Sequence, residues 1–315
     1  MDLSPRDVLL LDSLQYSMEP GPEPFDAAAE SLGVDAELLV RDARRLREGG
    51  AIRRIGVSLN SRALGGASAL VVAAVPPERA LEYARAISSR GRSKHSYVRS
   101  FPGYNLWFTY RAPDPDALLR EVGSLMSSMG VRDWIVLATA RAFKLSVKYD
   151  LERGVSWSPP AVIRPDPPTL GDLGIDRSIV RRLEDLPISR RPLREAAADV
   201  GETEEGLEDV LEELLSRGVA VDFGAVLEPE AVGIRHNAVI MGEGGEAECE
   251  AIARWAPEAT HVILREPLGA EWRMRAYFVV HARRREDVEA AAARAAELSG
   301  LGEMAVAYGE GGFTV

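Results

Sequence analysis

The segment DAAAESLGVDAELLVRDARRLREGGAIRRIG, Asp26 to Gly56, aligns without a gap with REAAADVGETEEGLEDVLEELLSRGVAVDFG, Arg194 to Gly224, at a constant offset of 168. A chain that repeats itself in this way folds as two copies of one unit, and the pattern inside the repeat limits what that unit is. Each copy reads as a short helix, a turn at Gly33 or Gly201, and a second amphipathic helix. A glycine stop (Gly49 or Gly218) and a strand-like tail follow. This is a winged helix-turn-helix pattern, present twice.

The sequence downstream of each copy also repeats. SALVVAAV (Ser68–Val75) and NAVIMG (Asn237–Gly242) read as strands, each followed by a helix. HSYVR from His95 and HVILR from His261 come next, each with an arginine four residues on. A further strand, an Ala/Leu/Glu-rich helix and a last strand complete each half. The order βαββαβ is a ferredoxin-like unit, an antiparallel sheet with helices on one face. One such sheet leaves its other face uncovered, so the two copies are expected to pair as an internal pseudo-dimer, with their sheets packed on each other. The expected fold is α+β: winged helix-turn-helix units at 1–60 and 171–228, ferredoxin-like domains at 61–156 and 229–315. WSPPAVIRPDPPTL (Trp157–Leu170), with five prolines, is read as the linker between them.

Composition removes several function classes. No apolar run approaches the roughly 20 residues that span a bilayer, and Met1-Asp2-Leu3-Ser4 begins no signal peptide. The single cysteine, Cys249, excludes an internal disulfide framework and any multi-cysteine metal site. A reducing cytoplasm is the expected location, with no protein-held metal. The net charge of -11 argues against generic nucleic-acid binding, which needs basic surface to displace counterions. The basic residues are 35 arginines and three lysines. GC-rich coding explains such a skew; where arginines converge, their planar forks also bind carboxylates in pairs.

One stretch concentrates chemistry. SKHSYVRSFPGYNLWFTYRA, Ser93 to Ala112, packs His95, Tyr97, Arg99, Tyr104 and Asn105 into eleven residues of a predicted strand pair. Residues two apart on a strand share a face, so His95, Tyr97 and Arg99 point together, as do His261, Ile263 and Arg265. Structural readings stand beside this one: a satisfied sheet histidine, and Tyr97 and Tyr104 as strand-favouring aromatics. His281 reads as a strand end, and Trp107 and Trp272 as packing.

A winged helix followed by a βαββαβ domain resembles the Lrp/AsnC superfamily, across nearly the whole chain and twice over. Within it, AIRRIG (Ala51–Gly56), HSYVRS with YNLWF, and ATARAFKLSVKY (Ala138–Tyr149) are similar to siroheme decarboxylases in their fused form. The match is stronger in the first half. The second keeps His261 and Arg265, replaces Tyr97 with Ile263 and Tyr104-Asn105 with Trp272-Arg273-Met274-Arg275, and adds Arg235-His236-Asn237. The resemblance implies a carboxy-lyase that removes two acetate carboxyl groups of siroheme to give 12,18-didecarboxysiroheme, on the way to haem or haem d1. No organic cofactor is expected, because protonation of the ring supplies the electron sink, and the iron arrives with the substrate. His95, Tyr97 and His261 are then the catalytic candidates. Arg53, Arg54, Arg99, Tyr104, Asn105, Arg235, His236, Arg265, Arg273 and Arg275 are the substrate-binding candidates, with His236 also able to ligate the substrate iron.

Two alternatives stand: a DNA-binding regulator of the Lrp/AsnC kind and a tetrapyrrole sensor without turnover. For the first, electrostatics are adverse. From Glu202 to Arg217 the second repeat carries seven carboxylates against one arginine, a helix that phosphate would repel. The first is balanced, with Arg41, Arg44, Arg45 and Arg47 against Asp35, Glu37, Asp42 and Glu48. The expected partners are siroheme and its products, with no nucleic acid and no membrane; further association of the pseudo-dimer into a homo-oligomer is left open.

Overall fold

The computed structural model describes residues 3–314 except 92, 94 and 161. The first half opens with α1 (Pro5–Tyr16), α2 (Asp26–Leu32), α3 (Ala36–Glu48) and β1 (Ile52–Leu59). Local sequence sets these starts. Ser4 and Asp7 form a capping box at α1, and the Asp35 carboxylate accepts from Glu37 and Leu38 N–H at α3. Next come β2 (Ala67–Ala73), α4 (Ala80–Ser88), β3 (His95–Arg99), β4 (Leu106–Ala112), α5 (Pro115–Ser128) and β5 (Trp134–Leu145). A small hairpin, β6 (Tyr149–Asp150) and β7 (Val155–Ser156), precedes the 157–170 stretch. That stretch is no free spacer. Ser158 N–H donates to the Pro257 carbonyl and Ile163 N–H to the Phe143 carbonyl, so it lies extended against the sheet.

The second half repeats the order after one extra short helix, α6 (Leu170–Leu173): α7 (Arg177–Glu184), α8 (Pro192–Val200), α9 (Glu204–Ser216) and β8 (Ala220–Leu227). Then follow β9 (His236–Gly242), α10 (Glu246–Trp255), β10 (His261–Leu268), β11 (Ala276–Ala282), α11 (Arg285–Ser299) and β12 (Met304–Thr314). α3 and α9, like β1 and β8, differ by 168 at both ends.

The tails of the two helical units pair with each other. β1 and β8 run antiparallel, with Gly56 opposite Gly224. At Gly56 a Cβ would lie 2.1 Å from the Leu183 carbonyl oxygen, and at Gly224 3.0 Å from that of Leu14. Each strand is therefore crossed closely by the first long helix of the opposite half, and one apolar core runs through both helical units.

The remaining strands close on themselves. β5-β2-β4-β3 and β12-β9-β11-β10 are the two quartets, each taking its own strands in the order 4-1-3-2. β3 then pairs with β12, and β10 with β5, antiparallel, giving an eight-stranded barrel with β7 and β6 appended to β11. The two sheets pack on each other as expected, and in addition they join edge to edge, which the sequence reading did not include. β5 and β12 run 12 and 11 residues, long enough to reach past their own quartets and cover the edge strands of the other. Helices α4 and α5 pack on one quartet and α10 and α11 on the other, each over its own core. A third cluster, including Leu70, Val72, Trp107, Leu137, Met241 and Tyr277, fills the inside. Among the described residues, no helix is long and apolar enough to cross a membrane.

Candidate functional site

Register decides which side chains enter the barrel. Tyr97 lies opposite Trp107, an interior residue, so His95, Tyr97 and Arg99 of β3 face inward. Ile263 lies opposite Tyr277 and His261 opposite Val279, which turns His261, Ile263 and Arg265 inward as well. β11 and β9 add His281 opposite Asn237 on the same inner face. The His95 and Tyr97 rings stack at 6.3 Å between centroids, and the Arg99 guanidinium carbon sits 5.0 Å from the Tyr97 centroid. Space for this row comes from the facing strand. Gly312 pairs with Tyr97, and a Cβ there would lie 2.2 Å from Tyr97 Cδ1.

Arg99 and Arg265 are the most informative residues. They are 5% and 8% exposed, yet among the described residues neither has a carboxylate partner. Arg99 Nη1 donates to the Asn237 carbonyl (3.1 Å), Asn237 Oδ1 (2.9 Å) and the Ala307 carbonyl (3.3 Å). Arg265 Nη1 donates to the Leu137 carbonyl (3.3 Å) and Thr139 Oγ1 (3.4 Å). Both Nε atoms are buried without an acceptor. Burial lowers both guanidinium pKa values to about 10, which still leaves them charged at neutral pH. Two buried cations with spare donors inside an apolar barrel are suited to carboxylates that arrive with a ligand.

His281 is 8% exposed, its ring edge-on to Tyr149 at 5.8 Å. Burial first, then the charges of His261 and Arg99, push its pKa down to about 3, so it is a neutral imidazole. Tyr149 is held by two reciprocal hydrogen bonds between its backbone and the Gln15 amide of α1, and burial raises its phenol pKa. The barrel end next to the helical units thus gathers His95, Tyr97, Arg99, His261, His281 and Tyr149. The opposite end is filled by Phe101, Tyr104, Trp107 and Trp272, with ring centroids 5.7–6.0 Å apart.

Several sequence candidates stand elsewhere. Tyr104 donates to Asp133 at 2.9 Å, and Asn105 clamps the Val75 backbone through both its amide atoms. Arg54 is spent on the Val57 and Glu184 carbonyls and Ser58. Arg273 and Arg275 pair with Glu243 and Glu266 at the surface. Arg235 is exposed, and His236, one residue from Asn237, faces away from the interior. Arg53 bridges to Glu228 at 2.7 Å and joins the halves near Tyr149. Sequence reading took His281 for a strand end, and met Asn237 and Tyr149 only inside family-like stretches without giving either a role. Alternation from Tyr277 through Val279 to His281 was a usable signal for the first. Tyr149 closes the ATARAFKLSVKY stretch, but it reaches the site through the β6–β7 hairpin and the β7–β11 pairing, which local pattern does not encode.

The arginines of α3 are largely committed within the chain. Arg45 pairs with Asp7, Arg47 makes two bonds to Asp185, and Arg44 donates to the Ile188 carbonyl. A cleft of about 470 Å³ between α3 and the 182–188 segment is lined by Arg44, Arg47, Asp185 and Ile188 among others and holds none of the site candidates.

A family model described as AsnC-like ligand binding domain matches residues 63–144 and 231–311. The chain is 30% identical over 249 residues to the siroheme decarboxylase of Hydrogenobacter thermophilus, covering 78% of this chain and 73% of that protein. It is 27% identical to the siroheme decarboxylase NirDL subunit of Paracoccus denitrificans, over 96% and 93% of the two chains. The crystal structure of the siroheme decarboxylase NirDL superposes with a TM-score of 0.64 at 24% identity, over 96% of this chain and 90% of that one; this shows a shared fold.

Proposed function

Since the chain belongs to the siroheme decarboxylase family and carries two AsnC-like ligand-binding domains, we infer that it converts siroheme to 12,18-didecarboxysiroheme by removing two acetate carboxyl groups. The observation that carries this reading is the pair of buried arginines, Arg99 and Arg265, without carboxylate partners among the described residues. Siroheme is flat, apolar on its faces and edged by carboxylates, which suits apolar walls with a few deep cations.

Each decarboxylation breaks one carbon–carbon bond and consumes one proton. Protonation of the ring carbon next to the acetate makes an electron sink. The carboxylate then leaves as carbon dioxide, its bonding pair passing to the ring as an exocyclic methylene. A proton added to that methylene gives the methyl group, and loss of the ring proton restores the pyrrole. His95 and His261 are the proton donors we assign, and general acid help of this kind is worth about 10²–10⁴-fold. Tyr97, stacked between His95 and Arg99, is assigned to orient the reacting carboxylate. Arg99 and Arg265 bind neighbouring carboxylates at about 1.5–3 kcal/mol per charge-assisted hydrogen bond. No organic cofactor is required, since the substrate ring is its own electron sink. We place the reaction in the cytoplasm.

We further read the helical units as winged helix-turn-helix modules at 1–60 and 171–228, and the whole as an internal pseudo-dimer in which these modules serve as a scaffold. The intramolecular bonds of Arg44, Arg45 and Arg47 support a scaffold over a DNA reader. Anaerobic incubation of the purified chain with siroheme, followed by product mass, tests the function. Two successive losses of carbon dioxide are expected; tight binding with unchanged mass would make the protein a sensor instead.

A further inference from the structure

Arg99 and Arg265 occupy equivalent places in the two quartets, but their surroundings differ. All three acceptors of Arg99 come from the opposite half, and all engage Nη1. The shortest, at 2.9 Å, is Asn237 Oδ1, the one side-chain acceptor in the set. A guanidinium only donates, so the amide oxygen is the atom that faces it. Gly309 of β12 lies between the two strands, and a Cβ there would stand at ordinary contact distance, 3.5 Å, from both Arg99 Nη1 and the Asn237 carbonyl oxygen. Arg265 has no such partner: Ser68 takes the place of Asn237 on β2, and the acceptors that remain lie at 3.3 and 3.4 Å. One of the two deep arginines is held in a fixed orientation by the other half, and the second is held loosely.

We propose that Asn237 is a positioning residue for siroheme binding: it fixes the Arg99 guanidinium by Nη1 and, being neutral, leaves its charge and its remaining donors to a substrate carboxylate. Neutrality is the point of the choice. A carboxylate at the same position would meet the same geometric need, yet would close Arg99 into an internal ion pair and remove the unmatched charge that an anionic ligand requires. Asparagine orients without neutralising. This inference rests on the reading of Arg99 as a siroheme contact.

The test compares Asn237→Asp, Asn237→Ala, Arg99→Ala and the double variants in steady-state turnover of siroheme, with melting temperatures as a check on folding. Asn237→Asp is expected to raise KM about tenfold or more, the scale of one lost charge-assisted contact, with kcat within about threefold because such a clamp acts in ground and transition states alike. Asn237→Ala, which leaves two carbonyl acceptors in place, is expected to raise KM less. In the Arg99→Ala background neither change should matter, since a residue acting through Arg99 has nothing left to act on. If Arg99→Ala raises KM but Asn237→Asp does not, or if the Asn237 effects persist undiminished without Arg99, the positioning role is overturned. Unchanged KM in Arg99→Ala would instead overturn the substrate contact itself, and the positioning role with it.

Discussion

His281 makes acid stability a direct test of the barrel interior. Its imidazole lies at 8% exposure against Tyr149, within the electrostatic reach of His261 and Arg99, and its pKa is pushed down to about 3. In the unfolded chain the same group titrates near its ordinary value, so between about pH 6.5 and pH 3 the unfolded state binds a proton that the native state refuses. Its contribution is therefore fully present above pH 6.5 and is lost as pH falls through that window. At pH 5 the loss is RT ln(1 + 10^1.5), about 2 kcal/mol, and it grows toward roughly 5 kcal/mol near pH 3. Urea unfolding of the wild-type chain and of His281→Gln at pH 7 and pH 5 isolates this quantity. Wild type should lose about 2 kcal/mol more than the variant between the two pH values. Asp12 responds in the opposite sense, since burial and Asp150 raise its carboxyl to about 6, but it is present in both proteins and cancels in the comparison. Parallel pH profiles would mean that His281 is not a buried neutral imidazole, and the inward register of β11 would lose its support.

The other expectations concern catalysis and binding. His95→Ala should lower kcat more than it weakens siroheme binding, as befits a proton donor, and His261→Ala shows how labour is divided; full turnover of both acetates in each folded variant would remove the imidazoles from the mechanism. Gly312→Ala should destabilise the chain by about 1–3 kcal/mol and depress turnover, because its Cβ would meet the Tyr97 ring at 2.2 Å; wild-type stability and activity would show that β12 does not confine Tyr97. Duplex DNA should bind no more tightly than about 10⁻⁶ M at physiological salt, and footprinting that protects a palindrome at nanomolar protein would restore a regulatory role.

The architecture was legible because it is written twice. The turns at Gly33 and Gly201 and the stops at Gly49 and Gly218 bracketed α3 and α9, and alternation placed the strands of both quartets. α1 and α7 precede the aligned repeat, and barrel closure depends on edge pairings between segments far apart in sequence, which no local pattern encodes. For the site, strand periodicity brought His95, Tyr97, Arg99, His261 and Arg265 to one face correctly. It failed where residues were grouped by sequence proximity. Tyr104 and Asn105 sit beyond the β3–β4 turn and serve Asp133 and Val75, and Arg273 and Arg275 find surface carboxylates. Asn237 and His281 were given no site role because they gain meaning only when β9 and β11 bring them beside strands of the other half.

Turnover of siroheme in deuterium oxide, read by mass and by the position of the label, tests the central claim most directly. Each carboxyl group lost must be replaced by one solvent-derived hydrogen on the same carbon. The account predicts a doubly decarboxylated product whose two new methyl groups each carry one deuterium. Unchanged siroheme, or loss of carbon dioxide without label in the new methyl groups, would contradict it.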